Sequence, residues 1–430
     1  MARTLRNSAI LAKVETTNGV DAAPTGAANA ILVSDVSIDY VYNNVDRSLI
    51  KGYMGGDAQL IGTRYVQMGF TVELSGSGAA GTAPAWGALL QACAMAETVT
   101  AGSRVEYNPI SAALKSATIY YVLDGTQHKA LGCMGTVQFG LGIGERPTLK
   151  FSFTGLDGGV AEASNPSLTL TAWKAPLVVT DTNSGDIKLG GTYSAGAITG
   201  GTAYTSRGIN FDLGNEVKQI ELLNGNPVDI TNRMVTGSMQ LELTSANEVS
   251  FFSDVNAATL GSLSFEHGTA AGGKVLMFAP NVQRINPKRV DYEGRPHMTF
   301  DLRCLPSAGN DDLRIVVALG TAMAIKLSLG NIVPVQVKGV QTAESGAAER
   351  FEFTLICKRL NERQISQATE GRTVAEFLQH VTEGWKSVLD DVGQPLPFSP
   401  DGLEQLLLQP GVARLAFSGY LREVEAREKN

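Results

Sequence analysis

The chain has 430 residues and a formal net charge of −7, with 43% hydrophobic and 18% charged residues. This length suffices for two or three domains, and the composition is typical of a folded globular protein. The acidic balance argues against non-specific binding of nucleic acid, which depends on clustered Lys and Arg. The four cysteines form no C-x-x-C pair, so neither a cysteine zinc site nor a dense disulfide framework is predicted, and a reducing compartment fits best.

The N-terminal segment, residues 1–30, has few large apolar side chains after Leu11 and has turn chemistry at Asn18-Gly19 and at residues 23–26. We therefore predict an extended arm that does not fold by itself. Deletion of residues 2–30 should then leave the other domains folded. The start of the segment carries charge without an apolar run, which argues against a secretion signal.

A first β domain is predicted over residues 31–160. Val36, Ile38 and Tyr40 alternate with polar residues, and the same period of two recurs at residues 66–74 and 149–153. This pattern is typical of strands that bury one face. Between them, residues 85–95 have apolar side chains at helical spacing and follow a proline, which predicts one short helix packed on a sheet.

A second β domain, preceded by a connector, is predicted over residues 161–318. The connector is rich in Gly, Ser, Thr and Asn as far as about residue 201, which favours turns and one or two hairpins. Strand patterns follow at residues 239–243 and 298–302. The most apolar stretch, residues 315–325, is too short to cross a bilayer, so no membrane contact is predicted.

The two predicted β domains repeat each other in sequence. Residues 64–75 (RYVQMGFTVELS) match residues 233–244 (RMVTGSMQLELT), and residues 144–154 (GERPTLKFSFT) match residues 293–303 (EGRPHMTFDLR). The predicted helix also has a shorter counterpart at residues 248–255. Chance similarity between alternating strands is the alternative. We predict two diverged copies of one fold, because the order of the matches and the Arg-Pro step agree.

Residues 319–430 differ in character, and a small α+β domain is predicted there. Alternating apolar residues at 333–337 and 351–357 predict an antiparallel sheet. A helix should start with a capping box at Thr373 and Glu376 and present Phe377, Val381 and Trp385 on one face. That face either packs on the sheet, which we favour, or forms a groove for a partner. Further helices are predicted from residue 399 and near residue 410.

Two glycine-rich stretches resemble nucleotide-binding loops without meeting their requirements. Residues 268–274 (GTAAGGK) have the spacing of a phosphate loop, but Val275 stands where a magnesium-binding Ser or Thr is needed. The stretch lies between two strand patterns, which favours a hairpin turn. Residues 140–144 (GLGIG) lead into a strand rather than a helix, so a bend is favoured over a dinucleotide site.

The remaining reactive residue types are scattered. His128, His267, His297 and His380 are isolated and have no paired metal spacing. No G-x-S-x-G motif occurs, and where a cysteine adjoins a basic residue the two side chains should point to opposite faces of a strand. The sequence therefore predicts no enzyme, no catalytic or metal-binding residue, and no cofactor. A β-rich hydrolase, which needs an acidic cleft, has no supporting motif.

Residues 10–30 (ILAKVETTNGVDAAPTGAANA), with residues 31–36 after them, resemble the opening of tail tube proteins of long-tailed phages. The β-rich blocks with one short helix each resemble the tube fold of that family, which contractile tails and type VI secretion tubes share. The resemblance implies a mainly β protein with a β-sandwich or half-barrel in each block, whose inner strands join neighbouring subunits into a lumen wall. It covers about residues 1–318.

The resemblance implies a structural virion protein that self-assembles into stacked rings forming the tail tube through which DNA passes. Most members carry one tube domain and form hexameric rings, whereas this chain is predicted to carry two. A trimeric ring with pseudo-sixfold symmetry is therefore expected, with a hexamer as the alternative. Edge-to-edge strand pairing would build the wall, and the N-terminal arm would suit axial docking. A carbohydrate-binding or adhesion β-protein of a fibre or surface layer is the alternative function.

Implied partners are other copies of the chain, the tape measure protein, the tail terminator and distal tail proteins, and double-stranded DNA that passes without specific binding. The location is the virion tail, and the host cytoplasm during assembly. Residues 319–430 resemble tail assembly chaperones more weakly, and a decoration domain is an alternative. Met323 also reads like the start of a separate protein, so a fusion is a third alternative.

Overall fold

The computed structural model describes residues 3–270, 272–318, 332–342, 348–390 and 394–424. The chain forms two compact units, Met1–Ala322 and Met323–Asn430, which are described separately. The fold is mainly β, as predicted. Met323, where a separate protein was suggested to start, lies outside the described residues.

The first half of the first unit, as far as residue 162, contains nine strands and two short helices, which are β1 (Ser8–Val14), α1 (Gly26–Asn29), β2 (Ala30–Ile31), β3 (Ser34–Tyr42), β4 (Arg64–Glu73), α2 (Gly87–Gln91), β5 (Met95–Thr100), β6 (Arg104–Pro109), β7 (Ala117–Leu123), β8 (Thr126–Gly142) and β9 (Thr148–Glu162). The predicted helix over residues 85–95 is thus shorter than expected. It ends early because Ala94 has a φ of 57°, outside the helical region, and Met95 already pairs with Pro109 in a hairpin.

The second half of the unit begins at residue 187, and its elements are β10 (Ile187–Ser194), β11 (Ala197–Tyr204), β12 (Ser206–Asp212), β13 (Asn215–Gln219), β14 (Val228–Arg233), β15 (Thr236–Glu242), α3 (Ser245–Asn256), β16 (Leu260–His267), β17 (Lys274–Tyr292), β18 (Arg295–Leu305) and β19 (Arg314–Ala318). The hairpin predicted in the connector exists as β10 and β11, at the start of this half. The side chain of Thr244 accepts a hydrogen bond from the backbone N–H of Asn247, which caps the start of α3.

Eight strands from both halves form one continuous antiparallel layer, in the order β3-β4-β9-β8-β12-β15-β18-β17. We call it the main sheet. Alternate residues along its strands point to opposite faces. One face is apolar and buried, and includes Val66, Met68, Phe70, Phe139, Phe151, Phe153, Ile209, Phe211, Met239, Leu241, Phe300 and Leu302. Each buried side chain of this kind contributes about 2 kcal/mol of hydrophobic free energy.

The buried face of the main sheet shares one core with the strands and helix that cover it. Trp86 and Leu89 belong to this core, and the indole N–H of Trp86 donates to the backbone oxygen of Ser75 at 2.7 Å. Ile119 of β7 belongs to it as well, and so does Ile10 of β1. The core therefore extends through both halves, because residues from each half are members of the same cluster.

The prediction of an extended arm over residues 1–30 is wrong for Ser8–Val14. These residues form β1, which pairs with β7 along its whole length and with β2 at two positions. Ile10, Leu11 and Ala12 are 1%, 3% and 2% exposed. The short apolar run at the start of the predicted arm is a core strand, so deletion of residues 2–30 would remove part of the fold.

The two halves of the first unit have the same strand order. The series β3-β4-β9-β8-β7-β1 in the first half corresponds to β12-β15-β18-β17-β16-β10 in the second. The registers agree too. Phe70 lies opposite Phe151, and Met239 lies opposite Phe300, which are the partners that the two sequence matches make equivalent. The internal repeat stays a prediction, and these registers support it.

In its described residues, the second unit has a small antiparallel sheet and four helices, which are β20 (Ile332–Thr342), β21 (Ala348–Lys358), α4 (Glu362–Thr369), α5 (Val374–Val381), β22 (Thr382–Lys386), α6 (Pro400–Leu408) and α7 (Val412–Val424). Capping boxes begin both α4 and α5, and the second is the predicted one at Thr373 and Glu376. Helices were also predicted correctly near residues 399 and 410.

The predicted helical face that includes Trp385 is wrong beyond Val381. Helix α5 ends there, and Trp385 lies in β22 opposite Leu355. The indole N–H of Trp385 donates to the backbone oxygen of Leu396 at 2.8 Å. Phe377, Val381 and Trp385 nevertheless all belong to the buried core of this unit, so they pack inside it and form no partner groove.

Candidate assembly surface

The two outer strands of the main sheet have one unpaired edge each in the described part of the chain. β3 is hydrogen-bonded to β4 alone. β17 is paired with β16 only as far as Gln283, so its last residues are paired with β18 alone. Unpaired backbone groups at a sheet edge are a template for another strand. The sheet therefore carries two sites for strand addition, one at either end.

Inside the chain, an edge-to-edge pairing of two strands joins the two halves of the first unit. β12 pairs antiparallel with the end of β8, so that Phe211 lies opposite Phe139 and Asp212 opposite Gln138. Both phenylalanines are buried on the core face. On the other face, the amide nitrogen Nε2 of Gln138 donates to Oδ2 of Asp212 at 2.8 Å. We call this pairing the internal junction.

A hairpin from the second half reinforces the internal junction. It consists of β13 and β14 and lies against β8 and β9 of the first half. The side chain of Asn215 donates from Nδ2 to the backbone oxygens of Cys93 and Gly135, at 2.8 and 2.9 Å. Val228 is fully buried. The hairpin thus covers the neighbouring half and does not remain on its own.

The segment between β3 and β4, residues 43–63, occupies the equivalent position in the first half and is largely exposed. We call it the exposed arm. It is held by a bridge between Val45 and Leu60. Several of its large apolar side chains lie in solvent: Ile50 is 102% exposed, Met54 101% and Tyr53 72%. Apolar side chains grouped in this way indicate a contact surface for another molecule.

The face of the main sheet that points away from the core is polar and carries charges of both signs. Its acidic residues include Asp39, Glu73, Asp212, Glu242 and Asp301, and its basic residues include Lys150, Lys288, Arg295 and Arg303. Nη1 of Arg295 lies 3.0 Å from Oε1 of Glu242. A pocket of about 440 Å³ opens on this face beside the internal junction and is lined by Gln138, Lys150 and Asp212 among others. The acidic balance of the chain is thus not concentrated on this face.

The loop with phosphate-loop spacing is a turn between two strands, as predicted. Strand β16 ends at His267 and β17 begins at Lys274, so no helix follows the glycines. Nζ of Lys274 lies 2.6 Å from Oε2 of Glu266. A Cβ on Gly272 would lie 2.4 Å from the backbone nitrogen of Ala79, so the glycine permits close contact with another loop. The stretch at residues 140–144 likewise leads from β8 into β9, as predicted.

The histidines occupy separate structural positions. The hydroxyl of Tyr40 lies 2.7 Å from Nδ1 of His128, and Oγ of Ser184 lies 2.9 Å from Nδ1 of His267. His267 and His297 are buried. Within the described ranges, no three His, Cys, Asp or Glu residues are grouped so as to hold a metal ion.

The four cysteines are buried, and none of them forms a disulfide. Burial raises the pKa of each thiol, to about 12 for Cys304 and about 11 for Cys357. These thiols therefore stay protonated near neutral pH and lack the properties of a reactive nucleophile.

Sequence reasoning missed several buried carboxylates, among them Glu15 and Glu106. Glu15 accepts hydrogen bonds from Ser116 (2.6 Å), Thr118 (2.8 Å) and the backbone N–H of Gly132 (2.8 Å). Glu106 contacts Tyr193 and Arg314 of the second half. Most of these partners, such as Ser116 for Glu15 and Tyr193 for Glu106, are far away in sequence, so spacing could not reveal them. Both carboxylates have protein partners, which indicates a structural role.

The family described as phage tail tube protein matches residues 6–315 of the chain. The match includes both halves of the first unit, both unpaired edges and the exposed arm. The second unit lies outside it. No curated protein matches the chain. None of the helices in the described ranges is long and apolar enough to span a membrane.

Proposed function

Because the chain belongs to the phage tail tube protein family, we propose that three copies close into a ring with pseudo-sixfold symmetry and that such rings stack into the tube. The role of the chain in the virion tail is structural: it is a building block of the tube. Three chains would supply six equivalent halves. Head-to-tail contacts close a ring when a whole number of rotations from one copy to the next makes one full turn.

The observation that carries this proposal is the internal junction. It joins two halves of the same strand order edge to edge, and the main sheet still has an unpaired edge at either end. A second contact of the same geometry between chains would continue the sheet around a closed wall. The unpaired edges, otherwise prone to aggregation, would then be covered.

We further propose that the polar face of the main sheet lines the lumen. Mixed charges such as Lys150 and Asp301 leave no continuous basic surface for phosphates, so DNA would pass without specific binding. The tape measure protein would occupy the lumen during assembly in the host cytoplasm. The tail terminator and distal tail proteins would contact the two ends of the tube.

The second unit keeps three proposed roles: assembly chaperone, decoration domain or fused product. No feature of the described residues favours the alternative of a carbohydrate-binding protein. Since the family is structural, we propose no catalytic residue, cofactor or metal.

Electron microscopy of the purified full chain tests the proposal. We expect rings or tubes in negative stain, and averaged images of tubes should show threefold symmetry with six similar densities per ring. Native mass spectrometry of dissociated rings should give the mass of three chains. Six chains per ring would overturn the stoichiometry, and a chain that stays monomeric at high concentration would overturn self-assembly.

A further inference from the structure

We infer that β3 of one copy pairs antiparallel with the end of β17 of a second copy, in the register of the internal junction, and that the exposed arm lies on β17 and β18 of that copy. This inference rests on the proposed ring of copies and adds which segments meet.

β3 and β12 occupy equivalent positions in the two halves. Each has one shift of register near its start, between Ser34 and Ser37 in β3 and between Ser206 and Ile209 in β12. A residue with positive φ lies within each shift, Asp35 at 54° and Gly208 at 109°. The sequence repeat aligns β4 with β15, and β3 and β12 are the strands that pair with them. Comparison of these two pairings makes Ile38 equivalent to Phe211 and Asp39 equivalent to Asp212.

β8 and β17 are equivalent in the same way. In the first half, Gly140 lies opposite Thr148, and in the second half Val290 lies opposite His297. Thr148 and His297 occupy the same position of the repeated GERPT and EGRPH segments. The end of β17 therefore corresponds to the end of β8, and Lys288 corresponds to Gln138.

If β3 of one copy pairs with the end of β17 of another in the register of the internal junction, the residues that face each other between copies are fixed. Asp39 lies opposite Lys288, Ile38 opposite Arg289, and Ser37 opposite Val290. The pairing ends near Val36, because a Cβ at Gly208 would lie 2.1 Å from the backbone oxygen of Leu141, and Asp35 carries a Cβ at the equivalent position.

The side chains at these positions are complementary. Asp212 and Gln138 share a hydrogen bond at the internal junction, whereas Asp39 and Lys288 would form an ion pair across chains. Both are exposed, and neither has an ion-pair partner in the part of the chain that the structure describes. Opposite charges on directly facing residues stabilise a strand pair, and like charges destabilise it.

On the core face, the pair is Ile38 with Arg289. Ile38 is half-buried and packs against the edge of the core, where a neighbour would cover it. Arg289 is exposed, and its guanidinium contacts Glu248 of α3. Its aliphatic stem can cover Ile38 while the charged group keeps that contact.

The exposed arm follows from the same equivalence. Its bridge between Val45 and Leu60 corresponds in register to the pair Lys218 and Asp229 in the hairpin of β13 and β14. That hairpin lies on β8 and β9. The arm should therefore lie on the equivalent strands of the neighbour, β17 and β18, and a second copy of this chain is its occupant.

A disulfide between Ser37→Cys and Val290→Cys in one variant chain tests the register. Facing Cα atoms of antiparallel strands are about 5 Å apart, which a disulfide spans. After assembly and mild oxidation, we expect a ladder on non-reducing gels that ends at three chains. The control joins Ser37→Cys with Arg303→Cys, which lies on the same face but on β18, and should give no such ladder. The single variants should give dimers at most.

If rings form and the control cross-links as well as the test variant, or neither does, the proposed pairing is wrong while the ring proposal stands. If the wild-type chain forms no ring, the ring proposal itself fails. A charge exchange supplies a second measurement. Asp39→Lys and Lys288→Asp alone should each raise the concentration needed for assembly several-fold, and the double variant should restore it. Absence of that rescue would overturn the ion pair even if the cysteine variant failed to assemble.

Discussion

The carboxylate of Glu106 on β6 is nearly buried and contacts both halves of the first unit. It accepts hydrogen bonds from Arg104 and from the hydroxyl of Tyr193, the latter at 2.8 Å, and lies 3.6 Å from Nη1 of Arg314. Burial acts to raise the pKa of Glu106, but the hydrogen bonds from Arg104 and Tyr193 and the nearby positive charges outweigh it, so the pKa is lowered. The ionised form of Glu106 therefore stabilises the folded unit.

A change of Glu106→Gln should lower the free energy of unfolding at neutral pH by about 2 kcal/mol, because hydrogen bonds to a charged group are lost and two arginines lose a partner. A carboxylate with a depressed folded pKa stabilises the fold above its unfolded pKa, and this stabilisation is lost as the pH falls through the folded pKa. As the pH falls from about 7 to about 3, the free energy of unfolding of the variant should thus decrease less than that of the wild type. Urea unfolding of the unassembled chain measures both effects.

Glu73→Gln is the matched control, because that carboxylate is 34% exposed and pairs with Arg146 at the surface. Its effect should stay within about 0.5 kcal/mol. Equal effects of the two changes would contradict the role given to Glu106.

At the scale of elements, period-two alternation identified the strands that bury one face. β4, β9, β15 and β18 were predictable because Phe70 or Phe300 must face the core while the next residue faces solvent. Alternation failed for β1, whose three consecutive buried residues look like an irregular run, since β1 is buried on both faces. Helical spacing also placed Trp385 on a helix, although a strand pairing with β21 determines its position.

The assembly surface was only partly predictable. The sequence indicates β3 as a strand, but it does not tell which edges remain unpaired, because that depends on pairings between residues far apart, such as Phe139 with Phe211. One indication was available: the charged residues Lys288, Arg289 and Asp291 follow one another closely at the end of a strand. Charges at such positions are typical of exposed edges.

Charged substitutions in the exposed arm should affect assembly without affecting folding. The double change Ile50→Asp and Met54→Asp should leave the unfolding midpoint of the chain unchanged, because both side chains are fully exposed. It should reduce tube formation strongly, because two charges would have to enter an apolar contact with a neighbouring copy. Circular dichroism measures the first effect, and sedimentation with electron microscopy measures the second.

Leu408→Asp provides the comparison, since Leu408 is 73% exposed but lies in the second unit, outside the family match. It should leave tube formation intact. If the double variant in the exposed arm formed normal tubes, the docking of the exposed arm on a second copy would be refuted.

The second unit has its own buried core, which includes Val335, Leu355, Phe377 and Tyr420. We predict that a chain ending at Ala322 folds and assembles into tubes, because the family match and both unpaired edges lie before that residue. Faster assembly of the shortened chain would favour a chaperone role for the second unit. Unchanged assembly with thinner tubes would favour a decoration role.

Light scattering during assembly and the tube diameter in electron micrographs measure these outcomes. A shortened chain that unfolds, as judged by loss of its strand signal in circular dichroism, would contradict the independence of the first unit.

In the proposed ring of three chains, the six contacts between halves would be of two kinds. Every second contact would be the internal junction, where Phe139 lies opposite Phe211 and the linked halves meet at a high effective concentration. The other three contacts would form only when two chains collide and would depend on opposite charges, which dissolved ions screen. Salt should then break the three contacts between chains and leave the three internal junctions intact. The smallest species released from a tube at high salt should therefore be the single folded chain.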